Sequence, residues 1–193
     1  MINEHAVKTA SDIPGWMSQK ELEWLSQSAN QSDPINWLEI GTMLGRSWLC
    51  VALSLPSGST IVTVDKGMWS YTHNKSTWRS GHWVWGGHDY TLQQTQQLFS
   101  LFRKDIKTVF VKAEATEALD LFPKDFFNHI FIDACHTYEG TKNQINKALL
   151  YHPTAVLSGH DYNPQSWPGV VQAVDELLPS RLVVSNTTIW TTR

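Results

Sequence analysis

Cysteine is almost missing from this 193-residue chain: Cys50 and Cys135 are the only two, each within an apolar run and not in a paired spacing. That excludes a disulfide-stapled secreted scaffold and suits reduced core thiols in a reducing compartment. A surplus of positive charge is missing too. Fifteen Lys and Arg against 18 Asp and Glu leave a formal charge of -3 with eight histidines uncounted. No basic surface points to a nucleic-acid or anionic-membrane partner, and small-molecule chemistry is favoured. Nor does any apolar run reach the ~18 residues of a membrane span. Met1 to Ala10 is polar, without the basic flank and apolar stretch of a signal peptide, so a cytoplasmic location is expected. In that setting the glycosylation-like triplets at Asn30, Asn74 and Asn186 carry no meaning. The length suits one domain across residues 1–193.

What the chain does have is alternation. Ser18-Gln19-Lys20-Glu21 has the form of a capping box, and Leu22, Leu25 and Ala29 follow at helical spacing, which predicts a helix over 18–29. Strands are then predicted at 35–40, 60–65, 107–112, 128–133 and 154–159. Helices are predicted between and after them at 46–55, 91–104, 116–121, 138–150 and 169–178. Runs such as Ile61-Val62-Thr63-Val64 and Ile130-Phe131-Ile132 read as parallel strands covered on both faces. The helices are amphipathic, with Ile145, Ala148 and Leu149 on one face and Val170, Val174, Leu177 and Leu178 on another. This predicts a doubly wound, Rossmann-like α/β sandwich with ligands at the carboxyl ends of the strands. After Pro179, segments 181–185 and 188–192 read as a hairpin at an antiparallel edge. One segment breaks the pattern: Gly67 to Tyr90 holds Trp69, Tyr71, His73, Trp78, His82, Trp83, Trp85, His88 and Tyr90. A loop of that length and content is a substrate lid, a satellite hydrophobic cluster or an oligomer contact.

The first predicted strand runs into Glu39-Ile40-Gly41-Thr42-Met43-Leu44-Gly45-Arg46-Ser47, a carboxylate followed by two glycines and a helix start. Gly41 can adopt angles other residues avoid, Gly45 permits close approach, and the helix start offers unpaired N–H donors. The third glycine of a dinucleotide loop is missing, which disfavours NAD. No lysine follows Gly45, which disfavours a phosphate-binding P-loop and ATP hydrolysis. Asp65 closes the second strand at about the distance where nucleotide-binding α/β proteins place a ribose-binding acid. A nucleoside with a cationic, amino-acid-like tail suits Glu39 and Asp65 together, and S-adenosylmethionine has that build.

Two further strand ends carry chemistry. Asp133 and, three residues on, His136 follow the fourth strand; a nearby carboxylate raises an imidazole pKa, and His136 is a candidate proton acceptor or simply a helix cap. Ser158-Gly159-His160-Asp161-Tyr162 ends the fifth. Asp133, His160 and Asp161 suit a divalent cation, although the imidazole favours softer metals such as Mn²⁺, Fe²⁺ or Zn²⁺ over Mg²⁺; a plain hydrogen-bond network is the alternative.

With these blocks in order, residues 35–192 resemble the class I S-adenosylmethionine-dependent methyltransferases, and among them small-molecule O-methyltransferases similar to the macrocin and catechol enzymes. The third block also includes Pro168-Gly169-Val170-Val171. The resemblance implies a mostly parallel seven-stranded sheet with an antiparallel last strand. It further implies a cofactor whose methionine end lies near Glu39, Gly41, Thr42, Met43, Gly45 and Ser47, with its ribose on Asp65. Lys66, Glu114 and Ala115 lie beside the adenosine by the same resemblance, and Asp133 contacts the cofactor. In metal-using relatives the positions of Asp133 and of the pair His160-Asp161 hold Mg²⁺, and His136 stands where a catalytic base would be. The expected activity is methyl transfer to a hydroxyl of a sugar or hydroxylated metabolite, with homo-oligomerisation left open. A metal-dependent hydroxylase with His136, His160 and Asp161 around iron, or a non-catalytic cofactor-binding module, are the alternatives.

Overall fold

A computed structural model describes residues 1–66, 84–85, 88–89 and 92–193. The aromatic loop expected over 67–90 lies outside the described residues except for four backbone positions. The chain opens with α1 (Glu4–Ser11), which the polar N-terminal composition did not reveal. Its apolar content is three small residues, Ala6, Val7 and Ala10, all buried on one face. The Asn3 side chain accepts from the Ala6 amide at 3.1 Å and donates to the Leu53 carbonyl at 3.0 Å, which caps the helix and ties it down. Helix α2 (Gln19–Ala29) follows with both arms of the predicted capping box formed.

The expected alternation then appears almost residue for residue: β1 (Asn36–Ile40), α3 (Arg46–Ser54), β2 (Thr60–Asp65), the short ribbon β3 (Val84–Trp85) and β4 (His88–Asp89), then α4 (Leu92–Phe102). There follow β5 (Lys107–Lys112), α5 (Ala115–Ala118) with a 3₁₀ turn at Leu119–Leu121, β6 (His129–Ile132), α6 (Tyr138–Tyr151), β7 (Val156–Gly159), α7 (Pro168–Leu177), β8 (Leu182–Val183) and β9 (Trp190–Thr191). One sheet takes the order β5-β2-β1-β6-β7-β9-β8. Five of its strands are parallel, and β9 runs against β7 and β8. The predicted C-terminal hairpin therefore exists, but its strands pair over two residues each and not five.

Alternate side chains of the central strand enter different cores. Trp37 packs with Trp48, Leu49 and the buried faces of α1 and α2, whereas Leu38 and Ile40 pack with Ile130, Ile145 and Val174 on the other side. Because β2 and β6 flank β1 on opposite sides, the chain departs from the sheet in opposite directions there, which opens the crevice where α/β folds bind ligands. No helix of the described residues is long and apolar enough to cross a membrane.

One core group makes stability depend on pH. The His129 ring stacks on Trp37 with centroids 3.8 Å apart, and its Nε2 lies 2.7 Å from Ser158 Oγ. Burial pushes this imidazole down to about 3. The folded state thus keeps His129 neutral while the unfolded chain takes a proton below its ordinary value of 6.5. Its contribution is complete above that pH and is lost as pH falls toward 3, by about 1.4 kcal/mol per unit. The stability difference between wild type and His129→Gln, measured by denaturant unfolding between pH 7 and 4.5, should shrink with that slope as pH falls.

Candidate active site

The turn after β1 is built from three left-handed residues, Gly41 (φ +100°), Met43 (φ +49°) and Gly45 (φ +81°). A Cβ on Gly41 would collide with the carbonyl oxygen of Asp133, so this turn lies directly against the end of β6. The Thr42 and Met43 amides both donate to Asp65 Oδ2 at 2.9 Å. One oxygen of the expected ribose acid is therefore engaged in fastening the loop. Gly45 is the N-cap of α3 and supplies no side-chain cap, while Arg46 and Ser47 of the first turn line the adjacent cavity. Arg46 also braces the N-terminal segment by donating to the carbonyls of Ser11 and Ile13 at 3.1 and 2.6 Å.

Glu39 departs from its expected place at the ligand. It is 1 % exposed and lies behind the cavity wall, not in it. Ser47 Oγ donates to its Oε1 at 2.5 Å and Thr63 Oγ1 to its Oε2 at 2.8 Å, and the Thr42 and Thr63 hydroxyls touch in turn. Burial pushes the Glu39 carboxyl up to about 8; the two hydroxyls oppose the rise, and Asp133 and Asp65 add to it. Ser47, which lines the cavity, stands between Glu39 and that space.

Asp133, His136, His160 and Asp161 do converge. His136 Nε2 lies 2.7 Å from Asp161 Oδ2 and 3.9 Å from Asp133 Oδ1. His160 Nδ1 lies 3.3 Å from Asp161 Oδ1 and 3.7 Å from Asp133 Oδ1. Asp133, His160 and Asp161 each present one ligand atom within 4.8 Å of the others, the one metal-compatible group among the described residues; His136 is not part of it. On its far side His160 Nε2 stands 3.1 Å from Glu21 Oε1, off the hydrogen-bond axis.

Glu21 was legible in the sequence only as a helix cap. Its carboxylate also accepts from the Thr188 amide at 2.9 Å and the Thr188 hydroxyl at 3.0 Å, so it joins α2, the C-terminal hairpin and the histidine. An acid at the third position of a capping box gives no local hint of such a partner. Burial works against the charge of each group, yet mutual contacts prevail. His160 is raised well above its ordinary value by Asp133, Asp161 and Glu21; Glu21 is held below the carboxylate range by His160 and the Thr188 and Ser18 amides, and Asp161 by His136 and His160. His136, opposed by burial, is raised to about 9 by Asp133 and Asp161. Its ring stacks on Trp167 with centroids 4.2 Å apart.

A cavity of about 1000 Å³ connects these parts, from the Gly41–Ser47 turn past Asp65 to the histidine cluster. Lys66 and Glu114 line it as an exposed ion pair at 2.8 Å, and Ala115 lines it at the start of α5. Cys135, expected in the core, is half-buried on the cavity wall, whereas Cys50 is buried as expected.

Solved structures share this fold at low identity. They include an O-methyltransferase from Bacillus cereus in complex with S-adenosylhomocysteine (18% identity, 97% of this chain and 88% of that one, TM-score 0.58). A Podospora anserina methyltransferase bound to S-adenosylhomocysteine matches at 16% identity over 97% and 84% of the two chains with TM-score 0.59. CalS11, a TDP-rhamnose 3′-O-methyltransferase of calicheamicin biosynthesis, matches at 13% over 98% and 92% with TM-score 0.58. No curated protein matches the sequence. The family model described as a methyltransferase domain matches residues 38–162, which contain the glycine turn, Asp65, Asp133, His136, His160 and Asp161, and the chain belongs to that methyltransferase-domain family.

Proposed function

We propose that the protein transfers the methyl group of S-adenosylmethionine to a hydroxyl of a small molecule, with a sugar or sugar-like metabolite as acceptor. The observation that carries this reading is the single cavity joining the glycine turn and Asp65 to the cluster of Asp133, His136, His160 and Asp161. The residues fit such a cofactor. An α3 N-terminus without a side-chain cap suits a carboxylate, Asp133 suits an ammonium or sulfonium, and Asp65 with the Lys66–Glu114 pair suits a ribose diol. Cys135 and Ala115 provide less polar wall beside that end. The sugar-modifying relative of the same fold supports the acceptor class.

In the reaction the acceptor oxygen forms a bond to the methyl carbon as the carbon–sulfur bond breaks, and the sulfonium leaves as a neutral thioether. The hydroxyl proton must leave as well. His136 is the candidate to take it, held in place by Asp161 and by the face of Trp167. Asp133 and Asp161 raise its pKa to about 9 against the effect of burial. Asp133, His160 and Asp161 would hold a divalent cation, which would supply the positive charge that lowers the pKa of both the hydroxyl and the adjacent imidazole. The imidazole in this set favours Mn²⁺, Fe²⁺ or Zn²⁺ over Mg²⁺. Most of the acceleration comes from alignment of nucleophile and methyl group in a site that excludes water.

A thermal shift tests the reading. S-adenosylhomocysteine at 100 times its dissociation constant should add about 2.7 kcal/mol of stability. Absence of any shift would remove the cofactor assignment; a shift that a chelator diminishes would support the cation.

A further inference from the structure

The capping box uses only half of Glu21. Its Oε2 accepts from the Ser18 amide at 2.8 Å and the Ser18 hydroxyl at 2.9 Å, a role that glutamine fills as well. Its Oε1 serves a different set: the Thr188 amide and hydroxyl donate to it, and His160 Nε2 stands 3.1 Å away. Glu21 is 4 % exposed, and His160 is its only ion-pair partner among the described residues. A carboxylate buried this deeply is destabilising unless positive charge reaches it.

The two ring nitrogens of His160 have different surroundings. Nδ1 faces Asp133 and Asp161 at 3.7 and 3.3 Å, within the group that suits a divalent cation. Nε2 is sealed from solvent, has no aligned hydrogen bond and lies beside the Glu21 carboxylate. A histidine that ligates a metal through one nitrogen commonly donates its other N–H to a carboxylate, which fixes the tautomer and ring orientation and makes the ligating nitrogen more basic. We propose that Glu21 is the positioning residue of the cation site, holding the His160 Nε2–H so that Nδ1 is presented beside Asp133 and Asp161. The charge of Glu21 then meets that of the cation through the ring. Glu21 lies outside the 38–162 segment matched by the family model, so this part of the centre comes from helix α2 of this chain. The inference rests on the cation in the reading above and goes beyond it to the residue that orients its nitrogen ligand.

The test uses Co²⁺ alone as the probe, titrated calorimetrically into the full chain after chelator treatment and dialysis, without cofactor. Wild type should bind it, and Glu21→Gln, which keeps the size and the cap but not the charge, should bind about 10- to 100-fold more weakly. Ser18→Ala and Thr188→Val remove other partners of the same carboxylate; they should lower the melting temperature and leave Co²⁺ affinity unchanged. Equal loss of affinity in those two variants would make Glu21 only a tie between α2 and the hairpin, and wild-type affinity in Glu21→Gln would overturn its role outright. Should Glu21→Gln not fold, the wild-type Co²⁺ complex decides. One paramagnetically shifted, exchangeable imidazole N–H resonance protected from solvent is expected, and its absence with Co²⁺ bound overturns the proposal. Wild type that binds no Co²⁺ but is stabilised by S-adenosylhomocysteine would overturn the cation site and this role together, and leave the methyl-transfer reading standing.

Discussion

Replacing His136 with alanine is expected to lower turnover about 10²- to 10⁴-fold while S-adenosylhomocysteine affinity stays within about twofold. The separation follows from where the ring sits. His136 contacts Asp161, Asp133 and Trp167, the groups of the acceptor side in the proposed reaction. Its side chain is about a third exposed, so the substitution opens no sealed core void. Rates under saturating cofactor, set beside calorimetric binding of S-adenosylhomocysteine, separate the two effects. A variant that loses binding and turnover alike would show that the imidazole organises the cavity and does not handle the proton. A variant with full turnover would remove it from the reaction.

Gly41→Ala is expected to destabilise the fold by about 3 kcal/mol or more and to reduce S-adenosylhomocysteine affinity at least about tenfold. Two terms add. The backbone at φ +100° is one that residues with a Cβ rarely adopt, and the new methyl meets the carbonyl of Asp133 and the backbone of Ala134. Both are main-chain atoms at the end of a fully packed strand, so neither can swing aside as a flexible side chain would. Relief requires the turn to lift from β6, which stretches the Thr42 and Met43 amides off Asp65 and displaces the start of α3. Chemical denaturation and ligand titration on the same variant measure both losses. Wild-type stability would mean that the turn has slack which the close approach to Asp133 does not indicate.

The parts of the fold legible in advance share a cause. Strands 60–65 and 107–112, the Ser18–Glu21 capping box and the hairpin after Pro179 depend on neighbours within a few residues, and local chemistry decides them. Helix α1 was hidden because three small apolar residues do not make a visible stripe, and its stability comes from contact with α3 and α2. Asp133, His136, His160 and Asp161 were readable as polar residues at strand ends, since a parallel sheet delivers all its carboxyl ends to one edge.

What sequence alone determined is therefore the layered α/β architecture, the glycine turn and the polar groups at the carboxyl edge, all consequences of periodicity and turn chemistry. Tertiary structure decided how those groups are used. Glu39 looks ligand-facing along the chain, yet the register of β1 against β2 seals it between Ser47 and Thr63, where burial raises its pKa. Glu21 looks like a cap, yet packing brings it to Thr188, 167 positions away, and to the buried ring of His160. Gln144 looks like one more polar helix residue, yet packing of α6 buries its side-chain carbonyl without a partner among the described residues. The difference is physical: charge state and hydrogen-bond need depend on burial, and burial depends on contacts between residues far apart in the chain.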